Sequence, residues 1–449
     1  MKLAFREKLA FGAGDTASNL VFMTMLNFLP YFYTDIFGIS AAAVGTLLLF
    51  VRVGDAFIDV SVGVIADRTH TRWGKFRPWL LWFAVPFGVA AVLTFTTPDW
   101  TENSKIVYAW VTYSILMVAY SAINVPYGAL SAVMTTDLHE RTSLSGVRMV
   151  FAQIGGLIVA GGTLPLIAYF SGDSGDRAHG YQMTMILFGS IATALFLITF
   201  FGTRERIEVP ADQENNLKAD LLMLIKNRPW VVISVSGAIL FIFFSVRMAV
   251  VMYYFNYYVG DESQATLFFT LASIAAIPGA LLSAPISKRI GKKRTFQLGA
   301  AFGVLSLAAF YFVPADSFWL LHGLNAFASV SIYIMAPLIF SMLGDSADYA
   351  DWKFKRRSTG IIFSASALVG KVGMGLGGAL TGLLLTYFGY VAGSDQSEET
   401  VRGIVIMASI VPAVGYLIIL GFMELYNLDE EMAEQMRMEL ERRREKATS

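Results

Sequence analysis

Two carboxylates lie four residues apart in an apolar stretch, Val51-Arg52-Val53-Gly54-Asp55-Ala56-Phe57-Ile58-Asp59. Successive helical residues are rotated by about 100°, so Asp55 and Asp59 project from one face and Arg52 lies within about 60° of both. Neighbouring carboxylates ionise together only when positive charge lies between them. The spacing therefore predicts a site for an alkali cation or a shared proton. The alternative is a buried ion-pair network in which Arg52 only orients the helices.

A polar stripe is predicted farther along the chain, where Tyr120, Ser121 and Asn124 precede Pro126. Their spacing of three and four residues brings them to one side of a helix. Hydroxyl and amide oxygens in this position can complete a cation site or hydrogen-bond a polyol. The alternative is that the stripe only joins neighbouring helices in a membrane.

Further charged groups interrupt other apolar segments. Asp15 and Asn19 are one helical turn apart, Arg148 opens another segment, and Lys371 lies in the glycine-rich run 370–378. Opposite charges on different helices predict pairing across a cavity. For Asp15 and Lys371 the alternative is an ion pair that gates or assembles the protein without contacting a substrate. For Arg148 the alternative is a side chain that extends towards water at the membrane surface.

The composition indicates which elements carry these groups. Of the 449 residues, 55% are hydrophobic and only 15% are charged, and the mean hydropathy is +0.57. A soluble protein needs a larger charged surface than this. Each membrane crossing takes roughly 20 apolar residues. The sequence therefore predicts an all-α membrane protein with about a dozen crossings.

Apolar runs bounded by turn and charge clusters give the positions of these crossings. Twelve transmembrane helices are predicted, at 8–36, 41–66, 78–98, 105–135, 147–170, 181–202, 230–259, 265–287, 295–313, 318–344, 359–389 and 402–426.

Basic residues are distributed very unevenly between alternate connections. One set contains Lys2, Arg6, Lys8, Arg68, Arg72, Lys75, Arg77, Lys288, Arg289, Lys292, Lys293, Arg294, Lys353, Lys355, Arg356 and Arg357, and the other contains only Lys105, Arg177 and Arg402. Lysine and arginine are concentrated in cytoplasmic loops of membrane proteins. The pattern predicts that both termini are cytoplasmic.

A long polar connection divides the predicted helices into two sets of six. We predict an N-terminal six-helix bundle at 1–202, a cytoplasmic linker at 203–229, a C-terminal six-helix bundle at 230–426 and a cytoplasmic tail at 427–449. Transporters with two parallel halves use this arrangement, with a binding site near the middle of the membrane.

Several other functions are disfavoured by the composition. The 34 Lys and Arg balance the 34 Asp and Glu, so no nucleic-acid partner is expected. The chain has no cysteine, and its four histidines lack ligand spacing. It also lacks a Ser/His dyad and a His-Glu-x-x-His helix. We expect neither an enzyme nor a bound cofactor.

The motifs together resemble one family. Asp55-Ala-Phe-Ile-Asp59, Asp67-Arg68 and Arg72-Trp-Gly-Lys-Phe-Arg-Pro-Trp79 are accompanied by Gly12-Ala-Gly-Asp15, Asn124-Val-Pro-Tyr127, Asp348-Tyr349 with Trp352-Lys353, and Lys371. This set resembles the glycoside–pentoside–hexuronide:cation symporters of the major facilitator superfamily, over nearly the whole chain. The resemblance implies the major facilitator fold, a bacterial inner-membrane location and cation-coupled sugar transport.

The resemblance also implies roles for individual residues. Asp55 and Asp59, helped by Ser121, would bind the coupling cation, Na⁺ or H⁺. Asp15, Tyr120 and Arg148 would bind sugar hydroxyls, and Lys371 would link the two sites electrostatically. Asn19, one turn from Asp15, and Asn124 are further substrate-binding candidates, and the carbonyl oxygen of Asn124 is also available to the cation. The gating or conformational candidates are Arg52, Asp67, Arg68, Arg72, Lys75, Arg77, Asp348 and Asp351.

Two positions depart from the melibiose carriers of that family. Asn124 stands where they have a carboxylate, and Gly128 stands where they have an aromatic ring. Asn-Val-Pro-Tyr is closer to the xyloside and glucuronide carriers, so we expect a β-glycoside, pentoside or hexuronide as substrate. The rival function is a cation-coupled carrier of a lysolipid or other amphiphile.

The segment from Asp345 to Lys353 is charged and follows a predicted crossing. We expect Asp348 and Asp351 to pair with basic loops in one conformational state. The alternative is a simple solvated loop.

Overall fold

The computed structural model describes residues 3–135, 137–207, 217–355 and 359–428, and in the tail 432, 434–436, 438–440 and 442. The helices are α1 Phe5–Tyr31, α2 Ala41–Asp67, α3 Arg77–Thr94, α4 Glu102–Met134, α5 Leu138–Ser171, α6 Arg177–Gly202, α7 Leu217–Lys226, α8 Arg228–Tyr253, α9 Gln264–Ile290, α10 Lys292–Phe310, α11 Phe318–Phe354, α12 Thr359–Tyr387, α13 Glu398–Ala408 and α14 Ile410–Met423. Two π-helical turns, Phe32–Ile36 and Tyr254–Val259, extend α1 and α8. No strand occurs among the described residues, which is the predicted all-α class.

Local signals account for several helix starts. The hydroxyl of Ser40 accepts the N–H of Ala43 at 3.4 Å at the start of α2. A carboxylate oxygen of Asp176 accepts the N–H of His179 at 3.1 Å at the start of α6. Pro78 occupies the first turn of α3, where no N–H is needed. Ser40 and Asp176 thus accept N–H groups that have no partner within their own helices.

Nine helical segments of the described residues are long and apolar enough to cross a membrane. They are Arg77–Thr94, Glu102–Met134, Ser143–Ser174, Arg177–Gly202, Arg228–Val259, Gln264–Ile290, Phe318–Phe354, Gly360–Tyr387 and Glu398–Met423. The predicted crossings 8–36, 41–66 and 295–313 coincide with α1, α2 and α10, which are outside this set. The protein is a multi-pass, all-helical membrane protein.

The chain forms two compact units. The first contains Met1–Ala211, Met248–Thr270 and Gly378–Val401, and the second contains Asp212–Arg247, Leu271–Gly377 and Arg402–Ser449. In the first unit α1 packs against α5 and α6, α3 packs against α4 and α6, and α2 packs against α4. In the second unit α10 packs against α11 and α14. The predicted bundle boundaries at 202, 229 and 426 stay a prediction.

The core of the second unit includes parts of the predicted linker and tail. Met223 and Leu224 of α7 are buried in it, and so are Met436 and Leu440. These side chains occur on one side of short helical stretches, so burial of apolar surface fixes them against the unit.

Three predicted crossings differ clearly from the structure. The crossing 147–170 begins earlier, as α5 at Leu138. The crossing 402–426 is interrupted at Ser409, because Pro412 has no N–H and its ring crowds the carbonyl of Ala408. The crossing 318–344 continues as α11 to Phe354. The interpretation of 345–353 as a solvated loop is therefore wrong.

The helix continues past 344 because one of its sides is buried. Ser346, Ala347, Tyr349 and Ala350 are all buried in the second unit. In the same segment, Oδ2 of Asp345 lies 2.6 Å from Nζ of Lys292. The expected pairing of Asp348 and Asp351 with basic loops stays a prediction.

Candidate cation and substrate site

An ion pair joins α1 to α5 in the first unit. Nε of Arg148 lies 2.8 Å from Oδ2 of Asp15, and Nη2 lies 3.1 Å from Oδ1. The hydroxyl of Tyr127 on α4 is 2.6 Å from the same Oδ2 and 2.6 Å from the carbonyl oxygen of Phe11. Cζ of Arg148 lies 5.0 Å from the Tyr127 ring centroid. A single carboxylate thus connects three helices.

The pair combines a strong interaction with partial access. A two-point guanidinium–carboxylate contact is stronger and more directional than a neutral hydrogen bond. The Asp15 side chain is 12% exposed and that of Arg148 is 34% exposed. Arg148 therefore faces Asp15 instead of lying free in water. Its guanidinium retains N–H groups that can donate hydrogen bonds to a polyol. Asp15 offers lone pairs to hydroxyl donors.

A second polar contact joins α2 to α4. Asp55 is fully buried, and its Oδ1 accepts the hydroxyl of Ser121 at 2.5 Å. Arg52, also buried, places its Cζ 5.1 Å from the ring centroid of Phe22. The Phe22 ring also stacks on Tyr120, with 5.6 Å between the ring centroids. The face of the Phe22 ring thus fixes the position of the Arg52 guanidinium. Arg52 lies on α2, the helix that also carries Asp55.

The donor set near Ser121 suits a hard cation. Asp59 lies one turn after Asp55 on α2 and is partly exposed. Carboxylate and hydroxyl oxygens are the ligands that alkali and alkaline-earth ions prefer. Among the described residues no cluster of three or more His, Cys, Asp or Glu could hold a metal ion. The assignment of Asp55, Asp59 and Ser121 as cation ligands stays a prediction.

Asn124 connects α4 to α1 between these two contacts. Its Oδ1 accepts the hydroxyl of Ser18 at 2.6 Å, and its Nδ2 donates to the carbonyl oxygen of Tyr120 at 3.0 Å. Nδ2 of Asn19 donates to the carbonyl oxygen of Asp15 at 2.8 Å. Both predicted amides are thus engaged with nearby helical groups in this structure.

One side of α4 therefore contacts both predicted sites. Ser121 binds Asp55, Asn124 binds Ser18, and Tyr127 binds Asp15, at intervals of three residues. The sequence predicted the first part of this stripe but missed Tyr127. The signal was available, since Tyr127 continues the same spacing after Asn124.

The predicted gating residues at the start of α3 make contacts within the first unit. Nζ of Lys75 lies 2.9 Å from Oδ1 of Asp67, whose side chain is 66% exposed. Nη2 of Arg77 donates to the carbonyl oxygen of Phe200 at 2.6 Å. The guanidinium of Arg72 lies over the indole ring of the next residue, 4.5 Å from its centroid.

The other predicted conformational residues are dispersed. Arg68 ends α2, and its N–H donates to the carbonyl oxygen three residues earlier. Asp348 and Asp351 lie on α11, and the carbonyl of Asp351 accepts the N–H of Lys355 at 3.0 Å. Lys371 lies on α12 in the second unit. The roles assigned to all of these residues stay predictions.

Sequence reasoning missed Glu205, which fixes the start of α3. Its carboxylate accepts the N–H groups of Lys75, Phe76 and Arg77 at 2.8, 2.7 and 2.8 Å. Gly74 has φ +110°, and a Cβ there would lie 2.5 Å from Cδ of Glu205. The first N–H groups of a helix lack internal partners and carry partial positive charge, so an anion is held firmly there.

Replacing Glu205 with Gln should destabilise the protein by about 1–3 kcal/mol, because the charge and one acceptor oxygen are lost from three N–H groups. The matched control is Glu102→Gln, which removes an exposed carboxylate from the first turn of α4. That change should stay within about 0.5 kcal/mol. Thermal melting in detergent measures both. Equal melting temperatures for the two variants would contradict the role of Glu205.

Two ion pairs fasten the same end of the first unit. Nη1 and Nη2 of Arg206 lie 2.7 and 2.9 Å from the two carboxylate oxygens of Glu7, and these hydrogen bonds raise the pKa of Arg206. Nζ of Lys8 lies 2.8 Å from Oε2 of Glu140, and this hydrogen bond lowers the pKa of Glu140. The segment after α6 and the start of α5 are thereby tied to the start of α1.

Comparison with known proteins places the chain in a defined group. The family model described as MFS/sugar transport protein matches residues 10–430. An isoprimeverose transporter of Lactiplantibacillus pentosus is 37% identical, over 91% of this chain and 86% of its own length. A putative glycoside/cation symporter of Escherichia coli K12 is 35% identical, over 98% of this chain and 95% of its own. A glucuronide carrier protein homolog of the same strain is 31% identical, over 99% and 97%.

Solved structures agree on the fold. A crystal structure of a nucleoside transporter matches with a TM-score of 0.68 at 13% identity, covering 94% of this chain and 100% of that one. A D-xylose–proton symporter matches with a TM-score of 0.60 at 14% identity, over 94% and 98%. At this identity the likeness concerns the fold alone.

Proposed function

The chain belongs to the MFS/sugar transport protein family, and from that premise we propose that it is a cation-coupled symporter of a sugar or glycoside. It is a transporter and not an enzyme. Its place is the plasma membrane, most simply a bacterial inner membrane, since one relative is named an inner membrane symporter. Transport proceeds by alternating access, in which one site faces each side of the membrane in turn.

The observation that carries this proposal is the polar stripe of α4. Ser121 contacts Asp55, and Tyr127 contacts Asp15, only two helical turns apart on one helix. A cation bound at Asp55 and Asp59 and a sugar bound at Asp15 would therefore act on the same element. Such a shared element gives the coupling free energy that symport requires.

The mechanism follows from charge. A cation between Asp55 and Asp59 offsets their repulsion and takes up lone pairs that otherwise bind Ser121. Cation binding thereby positions Asn124 and Tyr127 of the α4 stripe to contact the sugar. Hydroxyls of the sugar donate hydrogen bonds to the Asp15 carboxylate and accept them from the Arg148 guanidinium. Reorientation is favourable when both sites are full or both are empty.

The substrate class rests on Asn124 and on the relatives. An amide at this position offers one acceptor and two donors without a charge. The relatives named above handle isoprimeverose, glycosides and glucuronides by their names. We propose a β-glycoside, pentoside or hexuronide, with Na⁺ or H⁺ as the coupling ion. None of these names favours a lysolipid or other amphiphile.

We also propose the full topology of twelve crossings with both termini in the cytoplasm. α1, α2 and α10 complete the nine apolar segments, and α13 with α14 counts as one interrupted crossing. Polar groups within a crossing are tolerated where they face protein or a water-filled cavity. With this topology the basic connections lie inside, as the positive-inside rule requires.

The test is transport by purified protein in liposomes. A panel of xylosides, glucuronides and galactosides is offered with a Na⁺ gradient and a pH gradient imposed separately. We expect at least one glycoside to accumulate above its external concentration, with only one gradient sufficient. Protein-free liposomes are the control. Failure of every glycoside under both gradients, with correctly folded protein, would refute the proposal.

A further inference from the structure

Two π-helical turns of the first unit carry a carboxylate and a tyrosine that bind each other. Asp35 lies in the turn Phe32–Ile36 that extends α1, and Tyr257 lies in the turn Tyr254–Val259 that extends α8. π-helical turns are rare and often coincide with functional positions, since they insert a residue that strains the helix. Neither residue belongs to the cation or substrate site described above.

Asp35 is the acceptor of a cluster of hydroxyl groups. Tyr257 donates to its Oδ1, and Tyr390, just beyond the end of α12, donates to its Oδ2. The hydroxyl of Thr34 also donates to Oδ2 at 2.6 Å, and Tyr253 lies 2.7 Å from that hydroxyl. Hydrogen bonds to a charged acceptor are stronger than neutral ones.

A second carboxylate makes the reciprocal connection. Glu262 follows the π-helical turn of α8, and its Oε1 accepts the hydroxyl of Tyr31 at 2.6 Å and Nη1 of Arg177 at 2.6 Å. Nη2 of Arg177 binds its Oε2. Thus α1 presents Asp35 to the later segments of the unit, while those segments present Glu262 to α1 and α6.

Beside these contacts, α2 and α12 meet backbone to backbone. A Cβ on Gly45 would lie 3.0 Å from Cα of Gly382, and a Cβ on Gly382 would lie 2.5 Å from the carbonyl oxygen of Ala41. Only glycine allows so close an approach at both positions. The segments 248–270 and 378–401 are therefore held to α1, α2 and α6 by charge-assisted hydrogen bonds and a tight crossing.

We propose that Asp35 with Tyr257 and Tyr390, and Glu262 with Tyr31 and Arg177, form a latch that locks this end of the carrier, with Gly45 and Gly382 as its seat. The inference rests on the proposed function, because a carrier that works by alternating access must separate these segments to admit substrate. Contacts that form in only one state stabilise that state by their full interaction free energy. The latch therefore sets the resting population of the two states.

The experiment uses the absence of cysteine from the chain. Ala41, which is 6% exposed and lies at the glycine crossing, is replaced with Cys as a reporter. Its alkylation by a maleimide is timed in liposomes without sugar. The double change Tyr257→Phe and Tyr390→Phe removes two donors from Asp35 and should raise the alkylation rate on the order of 10-fold.

The matched control is Tyr181→Phe in the same unit. The Tyr181 ring is 1% exposed, and its hydroxyl has no hydrogen-bond partner among the described residues. The control should leave the rate within about 2-fold. Gly382→Val, which blocks the seat, should raise the rate as the double change does. An unchanged rate in both latch variants, or an equal rise in the control, would overturn the latch.

The measurement separates this inference from the proposed function. Alkylation requires neither a known sugar nor a coupling ion, so the latch can fail while glycoside transport is established. Conversely, a latch that behaves as expected would stand if the substrate proved to be of another class. Melting curves of the variants show whether each is folded before its rate is read.

Discussion

Asp15→Asn is expected to abolish glycoside binding, with a rise in Kd of at least about 100-fold. An amide in place of the carboxylate removes the charge and one of two acceptor oxygens, and hydrogen bonds to charged groups contribute about 1.5–3 kcal/mol each. Arg148 loses its two-point partner, so its guanidinium no longer holds the orientation that a sugar hydroxyl meets. Titration calorimetry on purified protein with the transported glycoside measures the change.

The control for this variant is Asp99→Asn. Asp99 is an exposed carboxylate in the connection between α3 and α4, distant in sequence from the site residues. Binding by this variant should match the wild type. Retained affinity in Asp15→Asn, within about 3-fold of the control, would remove Asp15 from the substrate site. Melting curves of both variants distinguish a loss of binding from a loss of folding.

Helix positions were accessible from the sequence because hydropathy acts locally. The predicted crossing 181–202 and α6, Arg177–Gly202, differ only at their first residues. The interruption at Ser409 was missed although Pro412 is visible in the sequence, since a proline can kink a helix without ending it. The extension of α11 to Phe354 was missed because the charged residues there mask a buried side that includes Tyr349.

Prediction of the candidate site from the sequence is limited in a different way. Spacing placed Asp55 and Asp59 on one side of a helix and predicted the stripe with Ser121 on another, and the structure brings Asp55 and Ser121 together. Periodicity gives the side of a helix that a residue occupies but not which helix it meets. The pairing of Asp15 with Arg148, for which Lys371 was another candidate, therefore could not be predicted from the sequence.

Contacts between residues that are distant in sequence could not be predicted from the sequence. Glu205 lies in a polar connection where a carboxylate has no distinguishing neighbour in sequence, and its partners are backbone N–H groups that carry no sequence signature. Asp35 similarly meets Tyr257 across 222 residues of chain. In both cases the local pattern is that of an ordinary loop or helix end, and only tertiary packing creates the anion site.

Coupling itself is tested by the double change Asp55→Asn and Asp59→Asn. Without the carboxylates no charge draws the cation into the site, so the ion gradient cannot drive the sugar, and the accumulation ratio should fall to about 1. Downhill movement of glycoside should persist, because the two amides remove the repulsion that the cation otherwise offsets and the Asp15–Arg148 pair is intact. Ser121→Ala removes a donor to Asp55 and a proposed cation ligand. This change should lower the apparent affinity for the coupling ion roughly 10-fold. Uphill accumulation by the double variant, at a level matching Asp99→Asn, would show that the driving ion binds elsewhere, and the α4 stripe would then have to couple the sugar to a different group.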